Sequence, residues 1–174
     1  MSNPREPAEV ADLGAGLAKA ARYRELNGQL AALFSGERSG MANAANLCAL
    51  LYQHLPDLNW VGFYFLQEGG LVLGPFQGKV ACVRIAIGRG VCGTAAHRRK
   101  TLIVADVHAF PGHIACDSAS ASEIVVPLLQ EGRLLGVLDL DSPLLARFDP
   151  EDAAGLEAAA GLLLQGSDFD RLAD

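Results

Sequence analysis

The sequence predicts an α/β domain, a sandwich around a mostly antiparallel central sheet with helices on both faces. Three observations predict it. Leu and Ala recur at helical spacing through the first third of the chain and again at 149–165. The stretch between them is rich in β-branched and aromatic residues broken by glycine turns. One glycine-led helical segment interrupts those strands. Hydrophobic residues make up 51% of the 174, enough to build a real core.

In chain order, residues 1–8 combine proline with charge and form a loose tail, leaving 9–174 as a single domain. Apolar spacing from 10 to 34 is helical, with interruptions near Gly14, Gly16 and Gly28. A second helix spans 39–54. Residues 59–66 read as a strand, and Gly69-Gly70 turns the chain into a second strand at 71–76. A further short strand covers 80–87. The segment GRGVCGTAAHRRK, 88–100, is a glycine turn opening a short helix with basic residues at its end. A brief strand at 101–105 precedes a polar, irregular stretch, 106–122, long enough to suggest function. Strands follow at 123–129 and 134–141, and a helix with Asp149 as its cap closes the domain.

The net charge of -6 argues against nucleic acid or an anionic membrane as the main partner. The start, MSNPREPAEV, lacks the basic and apolar regions of a secretory signal, and no apolar run spans a bilayer. The chain therefore reads as cytoplasmic. Structural disulfides are rare there, so cysteines gathered in one region suggest metal binding or catalysis.

Cys48, among Ala, Leu and Asn, reads as a small buried hydrophobe. Cys92 lies at a helix N-terminus, where backbone N–H groups and the helix dipole favour thiolate. Cys116 sits in the polar stretch beside Asp117, close to His108 and His113, and Cys82 is placed on a strand next to Arg84 in this reading. Three unrelated buried thiols would be the plain account. Zinc is a rival, but no pair shows the short spacing of structural zinc sites. Thiol redox needs an activated thiolate, a resolving thiol and a polar pocket, all of which are offered here.

In GVLDLDS, Asp139 and Asp141 project from one face of a strand while Leu138 and Leu140 anchor the other. Two neighbouring carboxylates do not ionise easily together, so at least one pKa rises. Glu123 lies on the preceding strand. A three-residue loop, Gln130-Glu131-Gly132, is expected from the glycine at its third position and would pair it with Asp139, whereas a two-residue loop would put the two on opposite faces and a bulge at Pro127 would shift the count. In NWVGFYF, Val61, Phe63 and Phe65 face the core, and Trp60, Gly62 and Tyr64 share the other side. The glycine there leaves a gap between two rings where a ligand could approach.

LGPFQGKVACVRIAIGRGVCGTA from Leu73, DVHAFPGHIACDSASASEIVVPL from Asp106 and GVLDLDS from Gly136 resemble the free methionine-(R)-sulfoxide reductases, stand-alone GAF-domain enzymes. The resemblance implies a GAF-like sandwich that reduces free L-methionine (R)-S-oxide, with thioredoxin as reductant and no metal or other cofactor. It implies Cys116 as the attacking thiol, Cys82 as the resolving thiol and Cys92 as the partner in an alternative disulfide. Substrate would be held by Trp60, Tyr64, Glu123, Asp139 and Asp141. Separately, the glycines at the helix start, Gly88, Gly90 and Gly93, would let backbone N–H groups approach a substrate carboxylate. A homodimer is common among such proteins. Ala86 departs from a usual proline. The rival readings are a non-catalytic GAF ligand sensor and a peroxide-sensing thiol switch.

Overall fold

Alternation at a period of two along the middle strands decides how the chain folds, because each strand then carries one apolar side to bury. The computed structural model describes residues 15–114 and 117–169. The expected tail at 1–8, the start of the first helix with Gly14, and Cys116 lie outside the described residues. The elements are α1 (Ala15–Phe34), α2 (Gly40–His54), β1 (Trp60–Gln67), β2 (Gly70–Gly78), β3 (Arg84–Ala86), α3 (Gly90–Arg98), β4 (Leu102–Val104), β5 (Ser122–Gln130), β6 (Arg133–Ser142) and α4 (Pro150–Gly166), with one 3₁₀ turn at Val107–Ala109. The strands lie in the order β3-β2-β1-β6-β5-β4. Every neighbouring pair is antiparallel.

Val61, Phe63, Phe65, Ile124, Val126, Leu128, Leu138 and Leu140 turn to one side of this sheet and pack against α1, α2 and α4. The opposite side carries Trp60, Tyr64, Val125 and Val137, covered by α3. Helices on both faces are thus present, in unequal number. Ser39 caps α2 by accepting a hydrogen bond from the Ala42 amide at 3.3 Å. Asp149 caps α4 in a reciprocal arrangement with Asp152. No helix among the described residues is long and apolar enough to cross a membrane.

Three expectations need correction. α1 runs through Gly16 and Gly28 without a break. Gly28 faces open space, and a mid-helix glycine costs only about 1 kcal/mol. Burial of Tyr23, Leu26, Leu30 and Phe34 in the main core outweighs that.

The strand expected at 80–87 shrinks to β3, so Cys82 lies in the loop before it. The reason is contact with β1 across the fold. The Trp60 indole Nε1–H donates to the Lys79 carbonyl at 3.1 Å, and the Tyr64 hydroxyl donates to the Cys82 carbonyl at 3.0 Å. Side chains from β1 take the place of strand partners for this loop.

The β5–β6 turn has two residues rather than three. Gln130 pairs with Arg133, and Glu131 and Gly132 sit at φ 52° and 78°, the geometry of a type I′ hairpin. A register shift between Leu128 and Leu129 then follows, and Glu123 pairs with Asp141. The shift cancels the change of face that a two-residue loop would impose. Glu123 still shares a side with both aspartates, by a different route from the one expected.

Candidate active site

The site stands on the side of the sheet that α3 covers only partly. Alternation on β1 aims Trp60 and Tyr64 there, and β5 and β6 aim Glu123, Asp139 and Asp141 beside them. In register, Trp60 lies opposite Asp141 and Gly62 opposite Asp139. Glu123 lies opposite Asp141 on the other flank. These side chains line a cleft of ≈ 560 Å³ including its open mouth, closed by Arg89, Gly90 and Cys92 of the α3 turn and by His113, Ile114, Asp117 and Ser120. Trp60, Tyr64, Cys92, Glu123, Asp139 and Asp141, six of the expected site residues, therefore meet in one place. Cys82 stands just outside, next to Ala81, which is in the wall.

Glu123 and Asp139 are 7% and 6% exposed, unusual for carboxyls that form no ion pair among the described residues. Burial lifts all three pKa values. Burial, then the charges of Asp139 and Asp141, push Glu123 well above the usual carboxylate range. Burial and then Asp139 do the same to Asp141, against a hydrogen bond from Ser120. Asp139 rises to about 6, held there by hydrogen bonds with Cys92 and Glu123 that partly offset its burial. The expected rise in at least one carboxyl is met by all three. The Asp139 Oδ1 atom is buried with no hydrogen-bond partner.

Cys92 differs from its expectation. It does occupy the first turn of α3. Burial, followed by the charges of Asp139 and Glu123, nevertheless drives its pKa well up. Its thiol donates toward the Glu123 carboxylate over 3.9 Å. A short helix dipole, worth roughly 0.3–1 kcal/mol, does not outweigh desolvation beside acids. Cys92 is a protonated floor to the cleft rather than an activated thiolate. Its sulfur and one oxygen each from Glu123 and Asp139 lie within 4.8 Å of one another, a donor set that could also hold a metal ion.

The aromatic wall is tighter than expected. Trp60 and Tyr64 stack with centroids 5.9 Å apart, and Phe76 stacks on Trp60 at 5.5 Å. The space over Gly62 is filled by the Trp60 ring itself, against which a Cβ there would collide. Gly62 makes room for a ring, so ligand access is above the rings and not between them.

Of the three glycines expected to face a carboxylate, only Gly90 lines the cleft. The Gly88 amide donates to the Gly93 carbonyl at 2.8 Å, and the Gly93 amide donates to the Arg89 carbonyl at 3.0 Å. A side chain at Gly93 would also strike the Ala86 carbonyl.

The sequence marked Asp117 and His113 only as neighbours of Cys116 and gave no role to Asn59, Lys79 or Ser120. The Asn59 amide nitrogen donates to Asp117 at 3.2 Å and to Ser120 at 3.0 Å, and Lys79 lies 3.6 Å from Asp117. These bonds tie the polar stretch to β1 and to the Cys82 loop. His113, whose Nε2 is buried and unpartnered, also faces the cleft, its pKa lowered by burial and by His108. The length and polarity of 106–122 signalled function, but only contact across the fold picks out which of its residues matter. Cys82 is half-buried and disulfide-bonded. Cys48 and Cys92 carry free, buried thiols, and burial raises the Cys48 pKa, as its reading as a small hydrophobe requires.

A family model described as GAF domain matches residues 29–165. The chain is 57% identical over 134 residues to the free methionine-R-sulfoxide reductase of Escherichia coli (strain K12), covering 77% of this chain and 81% of that protein. It is 50% identical over 128 residues to the protein of the same name from Saccharomyces cerevisiae, covering 71% of each. A solved structure of free methionine-R-sulfoxide reductase from Neisseria meningitidis in complex with its substrate superposes with a TM-score of 0.83 at 49% identity, covering 85% of this chain and 89% of that one.

Proposed function

This chain belongs to the GAF-domain family and, within it, to the free methionine-(R)-sulfoxide reductases, and on that footing we propose that it reduces free L-methionine (R)-S-oxide to methionine. The observation that carries the reading is the buried floor of three raised carboxyls beneath two stacked rings, with the Asp139 Oδ1 atom left unpartnered. A free amino acid fits that floor. Its ammonium pairs with Asp139, the carboxyl that ionises first, through Oδ1. Its carboxylate lies toward Arg89 and the Gly90 N–H of the α3 turn. The S-methyl group packs on Trp60 and Tyr64.

Chemistry then needs a proton and a nucleophile. Glu123 and Asp141, whose carboxyls burial and neighbouring charge push well above the usual carboxylate range, are placed to give a proton to the sulfoxide oxygen. Cys116 attacks the sulfoxide sulfur as thiolate. The oxygen passes to Cys116 as a sulfenic acid, and methionine leaves. The Cys82 thiol condenses with that sulfenic acid, releasing water and forming a disulfide that a dithiol such as thioredoxin reduces. That Cys82 is disulfide-bonded while Cys48 and Cys92 are free supports this pairing. A reducing cytoplasm suits the cycle.

The test is turnover by the purified protein of the separated (R) and (S) epimers of free methionine sulfoxide with a thioredoxin system. Only the (R) epimer should react. Cys116→Ser should release no methionine in a single turnover, whereas Cys82→Ser should release one equivalent and recycle poorly. Equal rates on both epimers, or methionine release by Cys116→Ser, would sink the reading.

A further inference from the structure

A disulfide formed in this cleft has to be opened from outside, and the surface around Cys82 shows where. The loop between β2 and β3 holds Cys82 between Val80 and Val83, which are 87% and 63% exposed. A single exposed valine is ordinary. Two that bracket a disulfide-bonded cysteine are a different matter, because water on an apolar collar is released when a partner covers it. β3, which follows directly, is the edge of the sheet and pairs with β2 alone. No further strand among the described residues pairs with that edge, although its Ala86 carbonyl already accepts from the Arg89 amide at 3.0 Å, which leaves the Arg84 end as the approach for a partner chain. Lys79, Arg84 and Arg89 belong to the same stretch, on a chain whose net charge is -6. Among the described residues, the ion pairs of Lys79 and Arg84 are long, to the largely buried Asp117 at 3.6 Å and to the exposed Glu68 at 3.5 Å, and both cationic side chains stay well exposed.

We propose that residues 79–86 form the docking surface for a protein dithiol reductant, one with an apolar rim and acidic flank around its thiolate, and that its thiolate attacks the Cys82 sulfur. This rests on the reading of Cys82 and Cys116 as the disulfide pair. Attack forms a mixed disulfide between the partner and Cys82, breaks the bond to Cys116 and releases Cys116 as thiolate. The partner's second thiol then attacks the mixed disulfide, leaving the partner oxidised and Cys82 reduced, two electrons having passed. Attack at Cys82 rather than Cys116 frees first the thiol proposed to attack substrate, ready for the next sulfoxide.

Two measurements test this. A thioredoxin whose resolving cysteine is changed to serine, mixed with the oxidised protein, should be trapped on Cys82 when the adduct is mapped by mass spectrometry. Trapping on Cys116 overturns the proposal. Val83→Glu should lower kcat/KM for thioredoxin about tenfold, with Val83→Ser lowering it less, while turnover driven by dithiothreitol stays at the wild-type rate. A loss that is equal with both reductants, or no loss with either, overturns it too. Failure of the wild type to reduce the sulfoxide with dithiothreitol would strike the proposed activity itself.

Discussion

On β6, Leu138 and Leu140 point into a core sealed by α1, α2 and α4, while Asp139 between them points the other way, into the cleft beside α3. β5 does the same with Ile124 and Glu123, and β1 with Phe63 and Tyr64. Helices of 20, 15 and 17 residues cover the first side, and one of nine residues covers the second. The uncovered remainder is the cleft. The same strands thus carry two separable tasks, because a period of two places every neighbour on the opposite side. The dry side holds the strands still, so that the wet side can keep three carboxyls at close quarters against their preference for water.

If the wet side is built for charge, its largest response should be to a substrate that lacks the charge. N-acetylation removes the ammonium and leaves an ionised Asp139 buried without a counter-charge. Free (R)-sulfoxide should react about 10³-fold faster, in kcat/KM, than its N-acetyl derivative or a peptide containing it, corresponding to about 4 kcal/mol. Initial rates on the three forms at equal concentration measure this. Comparable rates would mean that the acids do not read the ammonium, and the contrast between the two sides would lose its functional half.

The dry side should respond in the opposite currency. Leu138→Ala empties a fully buried position packed between helices and sheet. It should cost about 3 kcal/mol of stability, through lost transfer energy and the cavity left behind. Below its lowered melting temperature, kcat/KM per folded molecule should stay near the wild-type value. Urea unfolding and activity on the same preparation separate the two effects. A collapse in activity at full folding would show that the sides are coupled through the strand and not independent.

The dry side was legible in the sequence almost residue by residue, since alternation in NWVGFYF and GVLDLDS requires only local information. The acids were legible for the same reason. The turn at Glu131-Gly132 was misread by one residue, and the error cancelled against a bulge between Leu128 and Leu129, beside Pro127, the residue at which the sequence allows one. What could not be read was anything set by contact at a distance. The Tyr64 hydroxyl holding the Cys82 carbonyl, and Asn59 reaching Asp117 and Ser120, join residues 18, 58 and 61 positions apart. Cys92 shows the same limit in energetic form. Its helix position was visible, but the burial and acidic neighbours that reverse its pKa come from β5 and β6.

The smallest effect is also the most specific to the wet side. Asp139 has an ordinary pKa of 3.8 in the unfolded chain and about 6 in the fold, chiefly from burial. The folded state therefore binds this proton more tightly than the unfolded state does. Its stabilising share is complete below the lower value and is lost as pH rises through the upper one. Above that range the ionised, buried carboxylate costs about 1–3 kcal/mol, the upper figure being the full shift before the surroundings relax. Asn at this position cannot ionise, and its carbonyl still accepts from Cys92 and Glu123. Asp139→Asn should thus unfold in urea much as the wild type does at about pH 3, below both values, and be the more stable protein at about pH 8 by about 1–2 kcal/mol. A stability difference of the same size at both pH values would assign the effect to packing, and the carboxylate would not be under electrostatic strain. Methionine supplies the missing cation at its ammonium, so adding it at the higher pH should narrow the gap by stabilising the wild type and leaving the variant unmoved.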